Sequence, residues 1–76
     1  MLNKATKEKL IHDYNLMDLS QSDVILIQNI FDPKMVIWTT FEELDNNLEI
    51  QKQWKIIGYL KDFVSPNLLI EKLNSL

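Results

Sequence analysis

This 76-residue sequence contains no cysteine, one histidine and one glycine, and each of these shortages excludes a kind of site. Without cysteine there is no disulfide, thiolate zinc site or cysteine nucleophile. Phosphate-binding loops need clustered glycines, whereas Gly58 stands alone. His12 lies among charged residues, and nothing in the spacing of the serines around it indicates a catalytic triad. The sequence therefore predicts a protein that is not an enzyme and has no catalytic residues, cofactor or metal site.

Long apolar runs are also missing. The longest, VILI and MVIW, fall far short of the roughly 20 residues that a membrane-spanning helix needs. The first residues, MLNKATKEKL, are polar and charged, which predicts no signal peptide. We expect a cytoplasmic protein that makes no use of a membrane. The short chain predicts a single small helical domain over residues 1–76.

Arginine is absent, so all eight basic residues are lysines, and the net charge is −3. Arginine is the preferred residue for bidentate contacts to guanine and phosphate. Its absence, together with the acidic balance, makes nucleic acid a less favoured partner than protein. The hydrophobic content of 46% is typical of a globular protein.

Helical periodicity is the main pattern in what is present. Residues 4–17 carry apolar side chains at helical spacing, as do 52–64 and, after a favourable Ser65-Pro66 start, 66–75. Thr40 and Glu43 form a T-x-x-E capping box, which predicts that a further helix begins there. We therefore predict an all-α fold, a compact bundle of four or five short helices.

The segment VILIQNIF is ambiguous. We interpret residues 21–31 as a helix because Ser20 and Asp23 resemble a capping box. The β-branched content and the following Asp32-Pro33 fit a hairpin equally well. The alternative to the bundle is therefore an α+β fold with a short β-hairpin at about 24–39.

Residues 40–60 carry further features beyond the capping box: apolar residues at Leu44, Leu48 and Ile50, followed by a second predicted helix. This segment resembles the helix-turn-helix of bacterial and phage regulators. The resemblance implies that helix 52–62 enters the DNA major groove. Its leading contacts would be Gln51, Lys52, Gln53 and Lys55.

The segment departs from that pattern at four positions. Asp45 replaces a small residue, Glu49 replaces the turn glycine, and Lys55 and Gly58 replace apolar residues. Acidic residues also precede the thin basic stripe of Lys52, Lys55 and Lys61. A DNA-binding regulator is therefore the alternative hypothesis for the function, and not the preferred one.

The first hypothesis is a regulatory or interaction protein that binds a partner protein. Seven large aromatic residues exceed what a small core readily hides, and tryptophan and tyrosine are favoured interface anchors. We expect Met35, Trp38 and Tyr59 to reach the surface and bind a partner protein or a second copy of the chain. Size and composition are typical of phage- or plasmid-type inhibitors and antirepressors.

Overall fold

The computed structural model describes residues 2–76, which form four helices and a three-stranded antiparallel sheet. In chain order these are α1 (Lys4–Leu16), β1 (Val24–Asn29), β2 (Val36–Thr40), α2 (Phe41–Asn46), α3 (Leu48–Gln53), β3 (Trp54–Tyr59) and α4 (Pro66–Asn74). A 3-10 turn at Leu60–Asp62 joins β3 to the last loop. The strand order is β2-β1-β3, so the first strand is central.

The prediction of an all-α bundle is wrong. The helix predicted over 21–31 is instead β1, and β1 and β2 form the hairpin of the α+β alternative. The reason lies in the position of β1, since all six of its residues are buried between two covered faces. A strand covered on both faces has a continuous apolar run and no alternation, so its periodicity does not distinguish it from a buried helix.

The helix predicted over 52–64 is also wrong. Its first part, from Trp54 to Tyr59, is the strand β3, which pairs with β1 through Ile56↔Ile27 and Gly58↔Leu26. Ile57 is the extra residue of a β-bulge between those two pairs. The bulge disturbs the alternation of apolar residues, and the spacing then resembles a helix.

The predicted starts of the other helices are confirmed. α1 begins after Asn3, whose Oδ1 accepts a hydrogen bond from the Thr6 N–H at 2.8 Å. Thr40 caps α2 by accepting from the Glu43 N–H at 3.2 Å. Pro66 is the first residue of α4, although the Ser65 side chain makes no capping hydrogen bond. These boundaries follow from local capping chemistry and do not depend on the tertiary fold.

The sheet has two different faces. The first face is covered by α1 and α4, and there Leu26 and Val36 pack with helix residues such as Leu10 and Leu69. Side chains alternate along each strand, so the neighbouring residues point to the second face. That second face carries nine residues from three strands, including Met35 just before β2: Ile25, Ile27, Asn29, Met35, Ile37, Thr39, Trp54, Ile56 and Tyr59.

The segment α2–α3 joins two strands that lie on opposite sides of β1. Both β2 and β3 are antiparallel to β1, so they are parallel to each other and need a crossover connection. The Phe41 ring at the start of α2 lies 6.0 Å from the Tyr59 ring of the second face. Ile25 and Ile27 on that face have no solvent exposure. The crossover therefore begins on the second face and helps to close it over the centre of β1.

Candidate functional site

Four large apolar side chains are exposed on the β1–β2 hairpin. They are exposed by 48% at Ile30, 77% at Phe31, 47% at Met35 and 41% at Ile37. We call these four residues the hairpin patch. Other exposed apolar residues, such as Leu16, Leu48 and Val64, lie in separate elements. Several exposed apolar residues on one hairpin are a candidate interaction surface, whereas single ones are common on any protein.

The turn that presents this patch is held by side-chain hydrogen bonds. The Asn29 Oδ1 accepts from the backbone N–H of Phe31 at 2.8 Å and of Asp32 at 2.9 Å. The Gln28 side-chain amide donates to the Pro33 carbonyl at 2.9 Å. Gln28 and Asn29 are the buried polar residues of this part of the chain. Because their polar groups bond to the turn, the turn is fixed in the free protein and its apolar side chains are presented in place.

The outer edge of β2 offers unpaired backbone groups beside the patch. The Asn29 N–H bonds to the Met35 carbonyl at 2.9 Å, and the Phe41 N–H bonds to the Asp23 carbonyl at 3.0 Å. Backbone groups of alternate residues in an edge strand point inward and outward. The groups of Val36 and Trp38 and the Thr40 N–H therefore point away from β1, toward the open edge.

A groove of about 250 Å³ lies between this edge and α1. Thr6, Lys9, Leu10 and Asp13 line it from α1, and residues 34–38 line it from the hairpin. Lys9 and Asp13 form an ion pair at 3.2 Å on its rim. The groove thus has mainly apolar walls with two lysines, Lys9 and Lys34, and one aspartate, Asp13, and it runs alongside an open strand.

The structure separates the three residues predicted to bind a partner. Met35 and Tyr59 both belong to the second face, at its two sides, and Met35 is part of the hairpin patch. Trp38 belongs to the first face and is only partly exposed. The prediction that these residues act at an interface stays a prediction, but they do not form one patch.

Trp38 is held in the core by three contacts. Its indole Nε1 donates a hydrogen bond of 3.0 Å to the Leu10 carbonyl. Its ring stacks on Tyr14 with centroids 6.5 Å apart and meets Phe63 edge-on at 6.0 Å. The Tyr14 hydroxyl in turn donates to the Phe63 carbonyl at 2.7 Å. Trp38 therefore anchors α1 to β2, and only its outer part lines the groove.

The residues predicted to contact DNA do not share one helix. Gln51, Lys52 and Gln53 end the six-residue α3, whereas Lys55 lies on β3. Gln51 also bonds back to the Leu44 carbonyl at 2.8 Å, and Gln53 bonds to Glu49 at 3.0 Å. The long second helix that the helix-turn-helix resemblance implies is replaced by a strand. DNA binding stays a prediction, but the helix over 52–62 on which that prediction was based is not present.

A second, polar pocket lies at the start of α2. It is lined by Thr40, Glu42, Glu43, Asn46 and Asn47. Within residues 2–76, no group of three or more histidine, cysteine or acidic side chains is arranged to hold a metal ion. The two acidic residues lie in the first turn of α2, where carboxylates stabilise the positive end of the helix dipole. His12 is exposed on α1.

Sequence reasoning missed Ile30, Phe31 and Ile37 as surface residues. Phe31 belongs to the aromatic surplus noted above, and the signal that could have placed it is its position directly before Asp32-Pro33. An aromatic residue next to a turn has no opposite strand to cover it. The exposure of Phe31 follows from the hairpin alternative. The interpretation of residues 21–31 as a helix does not predict it.

Comparison of the chain with protein-family models, curated proteins and solved structures finds no match. Among residues 2–76, no helix has the length and apolar character needed to cross a membrane.

Proposed function

We propose that this chain is a non-catalytic binding protein that docks on a partner protein through the hairpin patch. The observation that carries the proposal is the exposure of Phe31, at 77%, on a turn that internal hydrogen bonds hold in place. A large aromatic side chain exposed on a fixed turn is suited to enter an apolar pocket on a partner. An inhibitor or antirepressor would use such a surface to cover its target.

The order of the turn favours binding. A flexible loop loses conformational entropy when it binds, at a cost of about 0.5–1.5 kcal/mol for each immobilised side chain. Here the backbone of residues 31–32 already bonds to Asn29, and Met35 N–H bonds to the Asp32 carbonyl at 2.9 Å. The patch therefore loses little backbone freedom on binding, and a modest apolar area can give useful affinity.

Site-specific photo-crosslinking tests the proposal. A photoreactive benzoylphenylalanine is placed at Phe31 in one variant and at Val64 in another, in cells that express the chain naturally. Val64 is the matched control, because its side chain is 72% exposed but lies in the loop before α4. We expect a protein partner to be crosslinked from position 31 and not from position 64.

The identified partner is then purified and its affinity measured. We expect Phe31→Ala to weaken binding by about tenfold or more, as truncation of an interface anchor does. Since Phe31 is mostly exposed, the melting temperature should stay close to that of the wild type. Equal crosslinking from both positions, or an affinity unchanged by Phe31→Ala, would contradict a binding role for the hairpin patch.

A further inference from the structure

The two edges of the sheet are protected to different degrees. β3 carries the bulge at Ile57 and the exposed Lys55, and both features hinder the pairing of an edge strand with another chain. β2, Val36–Thr40, contains no charged residue, and its pairing with β1 shows no register shift. An unprotected edge strand is a template for a further strand. β2 is therefore the edge at which the sheet can extend.

We propose that β2 pairs antiparallel with β2 of a second copy, so that two chains form a continuous six-stranded sheet. The proposal does not rest on the proposed function, since edge pairing uses backbone groups and leaves Phe31 free. The outward residues Val36, Trp38 and Thr40 fix the register. A two-fold axis at Trp38 sets Trp38 opposite itself and Val36 opposite Thr40 of the other chain. The Trp38 pair exchanges two backbone hydrogen bonds, and each Thr40 N–H donates to a Val36 carbonyl.

Charge complementarity supports a second copy as the occupant of this edge. The same two-fold axis brings the turn before β2 of one chain, with Lys34, to the same end of the seam as the start of α2 of the other chain, with Glu42. Lys34 is exposed in the hairpin turn and Glu42 is exposed in the first turn of α2. Neither residue has an ion-pair partner within 4.0 Å among residues 2–76 of the same chain. The two-fold axis therefore gives both charges a partner, twice per dimer.

In the proposed dimer, the groove beside β2 meets the same groove of the second chain. Trp38 bonds to the Leu10 carbonyl, so α1 passes close to the proposed axis. The two-fold axis then brings the two copies of the groove to the same seam, each with the Asp13–Lys9 ion pair on its rim. Both residues line the groove, with side chains 33% and 78% exposed. Pairing thus covers the groove and its ion pair as it extends the sheet.

A reciprocal charge exchange tests the register in solution. Sedimentation analysis from micromolar to millimolar concentration should show a monomer–dimer equilibrium for the wild type. Lys34→Glu and Glu42→Lys should each weaken the dimer by about tenfold, because each replaces two attractive pairs by repulsive ones. The variant with both substitutions should recover most of the loss. A monomer at every concentration, or no recovery in the double variant, would overturn the proposal.

Cysteine crosslinking gives an independent geometric readout, because the natural chain has no cysteine. In this register, Ile37 of one chain is directly opposite Thr39 of the other, in a non-hydrogen-bonded pair close enough for a disulfide. An oxidised equimolar mixture of the Ile37→Cys and Thr39→Cys variants should give mainly the mixed disulfide. Ile56→Cys mixed with Thr39→Cys is the control from the protected edge. Predominance of Ile37→Cys homodimers, or equal crosslinking in the control, would refute the register.

The two proposals fail separately. Phe31→Ala should leave the dimerisation constant unchanged, within about twofold, because Phe31 lies beyond the end of the paired strand. Lys34→Glu should leave crosslinking from position 31 detectable. Loss of dimerisation in Phe31→Ala would show that the copies make contact through the turn that carries Phe31, which contradicts edge pairing.

Discussion

The two faces of the sheet use similar residues for different purposes. On the first face, Trp38 and Leu26 lie under α1 and α4 and take part in the core. On the second face, Ile25 and Ile27 are buried at the centre, but Met35, Ile37 and Ile56 remain exposed at the sides. The difference comes from what covers each face: a 13-residue and a nine-residue helix on one, and a crossover of two six-residue helices on the other. Apolar character alone therefore does not assign a residue of this chain to the core.

The sharpest test of this difference compares two neighbours on β2. We expect Trp38→Ala to lower the free energy of unfolding by about 3 kcal/mol or more, since it removes a packed aromatic side chain and leaves a cavity. Ile37→Ala, one residue away on the second face, should cost less than about 1 kcal/mol, because that side chain is 41% exposed. Chemical denaturation measures both. Equal costs would mean that the second face is as much a part of the core as the first.

The next largest effect is expected at Gly58, where the first face has no spare room. A Cβ added there would lie 2.7 Å from the Phe63 ring. The backbone does not require glycine, since Gly58 does not have a positive φ, so the constraint is packing. Gly58→Ala should destabilise the protein by about 1–3 kcal/mol.

The smaller ring-free side chain of Phe63→Leu provides the control for that substitution. We expect Gly58→Ala to cost less in a Phe63→Leu background than in the wild type, as a double-mutant cycle of thermal unfolding would measure. If the two substitutions are additive, the close contact with Phe63 is not the reason for glycine.

A moderate effect is expected where the crossover over the second face begins. Thr40→Ala removes the acceptor for the Glu43 N–H and should cost about 1 kcal/mol. Thr40→Ser keeps the hydroxyl and should retain most of the stability. Hydrogen exchange should show the loss mainly in α2, with α1 little changed. A uniform loss across both helices would mean that the two faces do not unfold independently.

The smallest effect is expected from pH, in the loop that leads from α1 into β1. The Ser20 backbone N–H donates to Asp18 at 2.9 Å, and this bond lowers the pKa of that carboxyl below its usual value of 3.8. Because the folded pKa is lowered, the contribution to stability is present above the unfolded pKa and is lost as pH falls through the folded pKa. NMR titration of the Asp18 side chain should give the lowered pKa, and Ser20→Pro, which removes the donor, should return it to the usual value.

The parts of the fold that could be predicted from sequence are those decided within one turn of chain. Asn3, Thr40 and Pro66 specify the starts of helices by local hydrogen bonds or backbone geometry, and the structure has helices there. The strands could not be assigned in this way. β1 is apolar on both faces because of what packs on it, and β3 has an irregular pattern because of its bulge. Both depend on contacts between residues distant in the chain, which periodicity does not report.

The residues of the candidate site could likewise be predicted only where local sequence decides their exposure. Met35 was predicted to reach the surface and is 47% exposed. Trp38 was chosen for the same reason, but its indole is bonded to α1. Phe31 was not chosen, and the helix predicted over 21–31 does not place it beside a turn. The positions of the turns decide which aromatic residue of a small protein is exposed. In this chain those positions are known only once the hairpin is known.

The central position of β1 has a consequence for how the chain folds. Its pairing with β2 needs only a short turn and can form within microseconds, as hairpins do. Its pairing with β3 must wait until the whole α2–α3 crossover has closed, and contacts between distant residues form more slowly. During that interval the other edge of β1, with its VILI run, has no neighbour. The rate of crossover closure, and not the stability of the finished sheet, therefore sets how long each new chain stays vulnerable to aggregation.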